Sequence, residues 1–163
     1  MEYKIRPVAE KDRTEVTRVF NHFVEHSFAA YPEKKVDSSF FDRMVAVSRG
    51  YPFYVIETGD CGIAGFALLH PYHGSPTISR TAEVTYFILP EHTGRGLGGR
   101  ILDRFTKDAR DLGIDNLLAS ISSLNEGSIN FHARNGFVEC GRFRRIGRKK
   151  GRDFDIVWMQ KFL

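Results

Sequence analysis

The stretch "PEHTGRGLGGRILDRF", residues 90–105, decides how this chain is read. Before it, "TAEVTYFIL" is an apolar, β-branched run that stops at Pro90 and reads as a strand. After it, Ile101, Leu102, Phe105 and Ala109 recur at helical spacing, with Gly113 as the helix stop. Between them Gly94, Gly96, Gly98 and Gly99 spell G-x-G-x-x-G, the dinucleotide pattern. That reading fails on context. The acidic residue it needs about 20 residues on, at the end of the next strand, is absent. Asp115 instead opens the next apolar run, "NLLASIS", and too little chain follows to complete the usual sheet. A P-loop is excluded because Arg100-Ile101, not Lys-Ser/Thr, follows Gly99. Two readings remain: a plain turn that starts a helix, or a nest of backbone N–H groups at a helix N-terminus that accepts a pyrophosphate. In the second, Arg95 adds a charge-assisted contact.

Working outward, "YKIRPV" reads as a first strand, and Asp12 begins a helix with Val16, Val19, Phe20, Phe23 and Val24 on one face. "SFAAYPEKKV" is a loop or short helix broken at Pro32, and Ser38 or Ser39 caps a further helix. "FYVIET" and "GIAGFALLHPY" form a hairpin about Thr58–Gly62. "EGSINFHARNG" is a short helix, and "FVECGRFRRIG" and "DFDIVWMQKFL" are two last strands around a basic turn. The order β-α-α-β-β-β-α-β-α-β-β predicts one domain over residues 1–163. Its fold class is α/β of the mixed α+β kind: a mostly antiparallel central sheet flanked by helices, with one β-α-β crossover.

Composition is that of an ordinary globular protein, 42% hydrophobic and 27% charged. The net charge of +4 is concentrated in "RFRRIGRKKGR", residues 142–152, which holds seven basic residues and no acid. This argues against a generally nucleic-acid-coated surface, and the segment lacks the spaced aromatics of a base-stacking face. Two cysteines define neither a disulfide framework nor a zinc site, so a reducing, cytoplasmic setting and no metal are expected. The charged opening "MEYKIRPVAEKD" lacks a signal-peptide core, and no apolar run reaches spanning length, so no membrane association is expected.

The Pro-terminated strand followed by "GRGLGGRIL" resembles the acyl-CoA loop of the GNAT N-acetyltransferase superfamily. "IRPVAEKD", "VFNHFV", "NEGSINFHARNGF" and "GRKKGRDFDIVWMQKFL" extend the resemblance in order along the chain, towards the branch of phosphinothricin and methionine sulfoximine acetyltransferases. The resemblance implies the GNAT fold and transfer of the acetyl group of acetyl-CoA, without a metal, to the amine of a small molecule, by direct attack in a ternary complex. It also implies a homodimer; the exposed apolar residues expected on the last strand, Phe154, Ile156 and Trp158, would supply its surface.

For the chemistry, Glu83 is the candidate base: a carboxylate inside an otherwise apolar strand, in line with the family's glutamate. Alternation places Glu83, Thr85 and Phe87 on one face and Val84, Tyr86 and Ile88 on the other. The resemblance implies coenzyme contacts from Tyr86, Phe87, Ile88 and Leu89 of the strand, from Gly94, Arg95, Gly96, Leu97, Gly98 and Gly99 of the loop, and from Asn125 and Ser128. Asn125 is equally a good helix N-cap. His132 stands where many members carry a tyrosine that protonates the thiolate; a histidine bonded within its own helix is the structural alternative. The acceptor half departs from the family, with Val84 and His73 where a histidine and an arginine are usual. His73, Arg80, Val84, Thr85, Phe28 and Tyr31, with Glu83, are the expected acceptor-side residues, and Tyr72 joins Phe28 and Tyr31 as a possible pocket aromatic. His70 and His92 read as surface histidines. A protein N-terminal or lysine acetyltransferase, or an acyl-CoA-sensing or RNA-binding module using residues 142–152, are the alternatives.

Overall fold

The computed structural model describes residues 2–163. In chain order they form β1 (Tyr3–Pro7), α1 (Arg13–His26), α2 (Ser39–Val47), β2 (Phe53–Thr58), β3 (Ile63–Pro71), β4 (Thr81–Ile88), α3 (Leu97–Asp111), β5 (Asn116–Ser122), α4 (Glu126–Arg134), β6 (Val138–Lys149) and β7 (Arg152–Phe162). This is the predicted order. The strands make one seven-stranded sheet, β1-β2-β3-β4-β5-β7-β6. Every neighbouring pair is antiparallel except β4 and β5, which the α3 crossover makes parallel.

Strand alternation sorts apolar side chains onto the two faces. Tyr54, Ile56, Leu69, Val84, Leu117 and Val157 pack with Ile101 and Phe105 of α3. Phe53, Val55, Phe66 and Leu68 pack with Val16 and Phe20 of α1 and Phe40 and Phe41 of α2. Each fully buried side chain of this size contributes about 1.5–3 kcal/mol. Asp12 sits just before α1, where the sequence places it. Its carboxylate receives both guanidinium nitrogens of Arg6, at 2.8 and 2.9 Å, and the Ala9 N–H at 2.8 Å. The Arg6 hydrogen bonds hold that carboxyl below its ordinary pKa. Ser38 holds the N-cap position of α2, but its side chain makes no capping hydrogen bond. Asp37 does the work, its Oδ1 accepting from the Ser39 N–H at 2.9 Å and the Ser39 hydroxyl at 2.5 Å. Residues 27–38 form a loop without regular structure.

Two expectations about the C-terminus are corrected. The basic turn is shorter than expected: β6 runs on to Lys149 and β7 begins at Arg152, so only Lys150-Gly151 turn the chain. β7 is an interior strand between β5 and β6, so Phe154 is buried and Trp158 packs edge-on against Tyr72. The exposed large apolar residues of this hairpin are instead Val138, Phe143 and Ile146 on β6, at the sheet edge, and Phe162 at the end of β7.

Gly65 of β3 permits close approach of β4. A Cβ there would lie 2.5 Å from the Phe87 carbonyl oxygen and 2.9 Å from the Ile88 Cα, both backbone. Gly65→Ala is therefore expected to cost about 1–3 kcal/mol as an overpacked core, read as a lower urea midpoint. An unchanged midpoint would show that β4 can shift freely.

Candidate active site

The parallel ladder between β4 and β5 is short: Thr81–Asn116, Ala82–Leu117 and Glu83–Leu118. Beyond Glu83 the strands diverge, β4 following β3 to Ile88 and β5 following β7 to Ser122. The facing edges therefore carry backbone donors and acceptors that no neighbouring strand satisfies, a ready partner for an extended amide-bearing chain. Two cavities open at this split. One, of about 270 Å³, lies beside Phe20, Tyr31, Glu83, Thr85 and Ser120. The other, of about 480 Å³, lies beside Ile88, the glycine loop and Phe131. They meet at Ala29, Tyr86, Phe87, Asn125, Ser128 and His132.

The glycine loop builds the far end of the larger cavity. Gly94 and Gly96 adopt φ of +72° and +73°, which glycine takes without strain. Gly96 is the N-cap of α3 and offers no side chain to the first turn, whose own bonding starts with the Arg100 N–H to the Gly96 carbonyl at 3.1 Å. The N–H groups of Leu97, Gly98 and Gly99 precede that bond and need an outside acceptor. No atom lies within 4 Å of a Cβ built on Gly94, Gly96 or Gly99, so a phosphate has room to approach the backbone. The residues present thus fit a pyrophosphate. Gly98 has a further reason: a Cβ there would meet the Phe131 ring at 2.9 Å, so it sets the distance between α3 and α4. Leu97 contributes only backbone, its side chain being buried in the core. Two expected contacts are corrected. Arg95 is exposed, reaches the Glu91 carbonyl at 3.5 Å and does not line the cavity. Leu89 is buried with the α1-side core, and its N–H is already bonded to the Ala64 carbonyl at 2.9 Å.

Glu83 projects from β4 on the α1 side, 17% of its side chain exposed. One carboxylate oxygen accepts from the Ser120 hydroxyl at 2.7 Å. The other is 4.0 Å from His70 Nε2. Tyr31 lines the same cavity; burial first, then the charge of Glu83, raises its phenol above its ordinary pKa, while a Ser120 hydrogen bond opposes the shift.

His132 is 3% exposed. Its Nδ1 lies 2.8 Å from the Ser128 carbonyl, an acceptor, which puts the proton on Nδ1 and leaves Nε2 as a bare lone pair. Burial lowers its pKa, against that hydrogen bond, so the ring is neutral at pH 7. In this tautomer it holds no proton on Nε2 to give to a thiolate, and it can donate one only after taking one up. Nε2 and the Tyr86 hydroxyl are both buried without a hydrogen-bond partner. The two rings stand edge to face at 5.6 Å. Burial pushes the Tyr86 phenol up, so it stays protonated. Asn125 caps α4, its Oδ1 accepting the Ser128 N–H at 3.2 Å, and lines both cavities as well.

The acceptor-side expectations fare less well. Tyr31 and Thr85 line the cavity with Glu83. His73 is exposed in the β3–β4 loop, its Nδ1 accepting the Ser75 N–H. Arg80 is exposed and forked onto Asp115, away from the cavity. Val84 lies along the same cavity, though its side chain packs in the α3-side core. Phe28 lies under the Arg152 guanidinium, 5.1 Å from ring centre to Cζ, outside the cavity lining. Tyr72 belongs with Trp158. What the sequence reading missed is His70, Ser120 and Phe20. Cross-strand register pairs His70 directly with Glu83, a signal available only once the hairpin is in register.

Residues 3–138 match the acetyltransferase (GNAT) domain family. The chain is 30% identical to the L-amino acid N-acyltransferase MnaT of Escherichia coli over 96% of its own length and 91% of the relative's. It is 27% identical to a phosphinothricin N-acetyltransferase of Streptomyces coelicolor, over 98% and 96%. An acetyltransferase structure from Salmonella typhimurium, solved with its cofactor acetyl-CoA, superposes with a TM-score of 0.89 at 29% identity, covering 100% of this chain and 95% of the other. The chain belongs to the GNAT acetyltransferases. It is therefore an acetyltransferase, with acetyl-CoA as the acetyl donor its family uses.

The open space at Gly96 makes the coenzyme loop testable. Gly96→Val adds a β-branched side chain at a positive φ, in front of the α3 N–H groups. The variant is expected to fold and to lose at least about tenfold in acetyl-CoA affinity by calorimetry, a loss of about 1.4 kcal/mol. Full affinity in a folded variant would place the pyrophosphate elsewhere.

Proposed function

We propose that the acceptor is an amino acid or amino-acid analogue and that Glu83 removes the proton from its ammonium group. One observation carries this reading. Glu83 is the carboxylate of the smaller cavity, and that cavity joins the coenzyme side at Tyr86, Asn125 and His132. An ammonium group with a pKa near about 10 must lose a proton before it attacks. Glu83 takes that proton, with Ser120 fixing its orientation and His70 on its other side. The amine nitrogen then bonds to the thioester carbonyl carbon, and the carbon–sulfur bond breaks. The nitrogen sheds a second proton, and the departing sulfur gains one. His132 Nε2, unprotonated and unpartnered, accepts that second proton and delivers it to the sulfur. The proton held by Glu83 passes to solvent, so the balance closes on amide, thiol and one released proton. The backbone of Tyr86, Phe87 and Ile88 along the split receives the pantetheine amides.

Glu83→Gln retains size and hydrogen bonding but accepts no proton. It is expected to lower kcat about 10²–10⁴-fold, with acetyl-CoA affinity unchanged and partial recovery at high pH, where free amine is abundant. Released thiol across a pH series measures this. A Gln variant with wild-type rate and profile would remove Glu83 from the chemistry.

We further propose a homodimer, through the outer strand β6 rather than β7. Val138, Phe143 and Ile146 are its exposed apolar residues, and an unpaired edge is what a two-fold partner covers. A sedimentation experiment at micromolar concentration should give a dimer for the wild type and a monomer for Phe143→Glu. A monomeric wild type would overturn it. A reducing cytoplasm, where acetyl-CoA is at hand, suits the two exposed free thiols of Cys61 and Cys140.

A further inference from the structure

Lys149 is the most deeply buried cation of the described residues, 1% exposed. Its Nζ donates to the carbonyls of Val24 at 2.8 Å, Ser27 at 2.8 Å and Ala30 at 2.6 Å. All three ammonium hydrogens are used, and the partners are the C-terminal end of α1 and the loop that follows it. Burying a cation costs several kcal/mol unless it is fully bonded. The negative end of α1 offsets part of that cost. A methionine or leucine would pack such a site more cheaply, so the ammonium needs a reason.

The reason lies in what the three carbonyls hold. Ala29, Ala30 and Tyr31 line the smaller cavity with Glu83. The same hairpin grips the loop at two further points. Phe154 lies so close over Gly147 that a Cβ there would meet its ring at 2.2 Å, and Tyr31 stacks on Phe154 at 5.6 Å between centroids. The Lys150 N–H donates to Glu33 at 2.6 Å. Three arginines of the basic segment pair nearby: Arg142 with Glu139 and Asp155, Arg145 and Arg148 with Asp153. These pairings draw three of the segment's charges onto acids of the same chain.

We propose that Lys149 is a positioning residue for the acceptor. Its ammonium ties the end of α1 and residues 27–31 to the C-terminal hairpin, and so holds one wall of the cavity at a fixed distance from Glu83. The proposal rests on the reading of that cavity as the acceptor site. It bears little on the coenzyme half: Lys149 contacts neither the glycine loop nor α4, and of residues 27–31 only Ala29 also lines the larger cavity.

Two variants and three measurements test it. Lys149→Met keeps the aliphatic stem and removes every donor, whereas Lys149→Gln restores two N–H donors. With phosphinothricin as probe amine, the Met variant should raise the acceptor KM at least about tenfold. Its acetyl-CoA affinity by calorimetry should stay within about twofold of wild type, and Gln should recover part of the loss. Hydrogen exchange, which needs no acceptor, should show faster exchange in the Met variant over residues 27–33 and no change over 94–105. If the wild type does not turn over phosphinothricin, the acceptor assignment falls and hydrogen exchange alone decides the tether. Unchanged exchange over 27–33, equal losses for both substrates, or global unfolding of both variants would overturn the positioning role.

Discussion

Everything functional in this fold follows from a ladder that stops. β4 and β5 are joined through three residue pairs and part at Glu83. A parallel pair requires a crossover, here α3, and the right-handed crossover brings the helix N-terminus to the carboxyl end of β4. That end of a parallel pair is where open sheets gather ligands. The unsatisfied strand edges, the uncapped N–H groups of α3 and the carboxylate at the last paired position therefore lie along one cleft. No separate device is needed to bring them together.

The alternation of β4 then divides the labour. Glu83, Thr85 and Phe87 face α1, and Phe87 packs against Phe20, Phe23 and Phe66 at 5.1–5.3 Å between centroids. Tyr86 faces the other way, against Phe105, Phe131 and His132. Acceptor-side and thiol-side groups thus alternate along a few residues of one rigid strand. Their separation is set by the pleat rather than by loop conformation.

Much of this was legible in the sequence because it is local. Strand and helix periods, the Pro90 stop, the glycine turn and the Asn125 cap are each written within a few residues, and the family match placed Glu83 and His132 on them. The misreadings all concern partners far away in sequence. His73 looked the better candidate by counting back from Glu83, but the loop between β3 and β4 takes up the extra residues, and register delivers His70 instead. Arg80 looked free until Asp115, across the parallel pair, claimed it. The last strand was expected to expose Phe154, Ile156 and Trp158, but β6 folds back outside it. The charge of Lys149 was plain, whereas its three carbonyl partners lie about 120 residues earlier and have no signature in composition.

The two halves of the cleft are held by different means. The coenzyme half is built from backbone: strand edges, glycines at positive φ and a helix end, none of which tolerates much substitution. The acceptor half is walled by the loop after α1, and that loop owes its position to side chains of the C-terminal hairpin. Side-chain tethers can be exchanged without disturbing the ladder or α3. A change in acceptor therefore needs only a new loop and new anchors, while Glu83 stays where the parallel ladder ends.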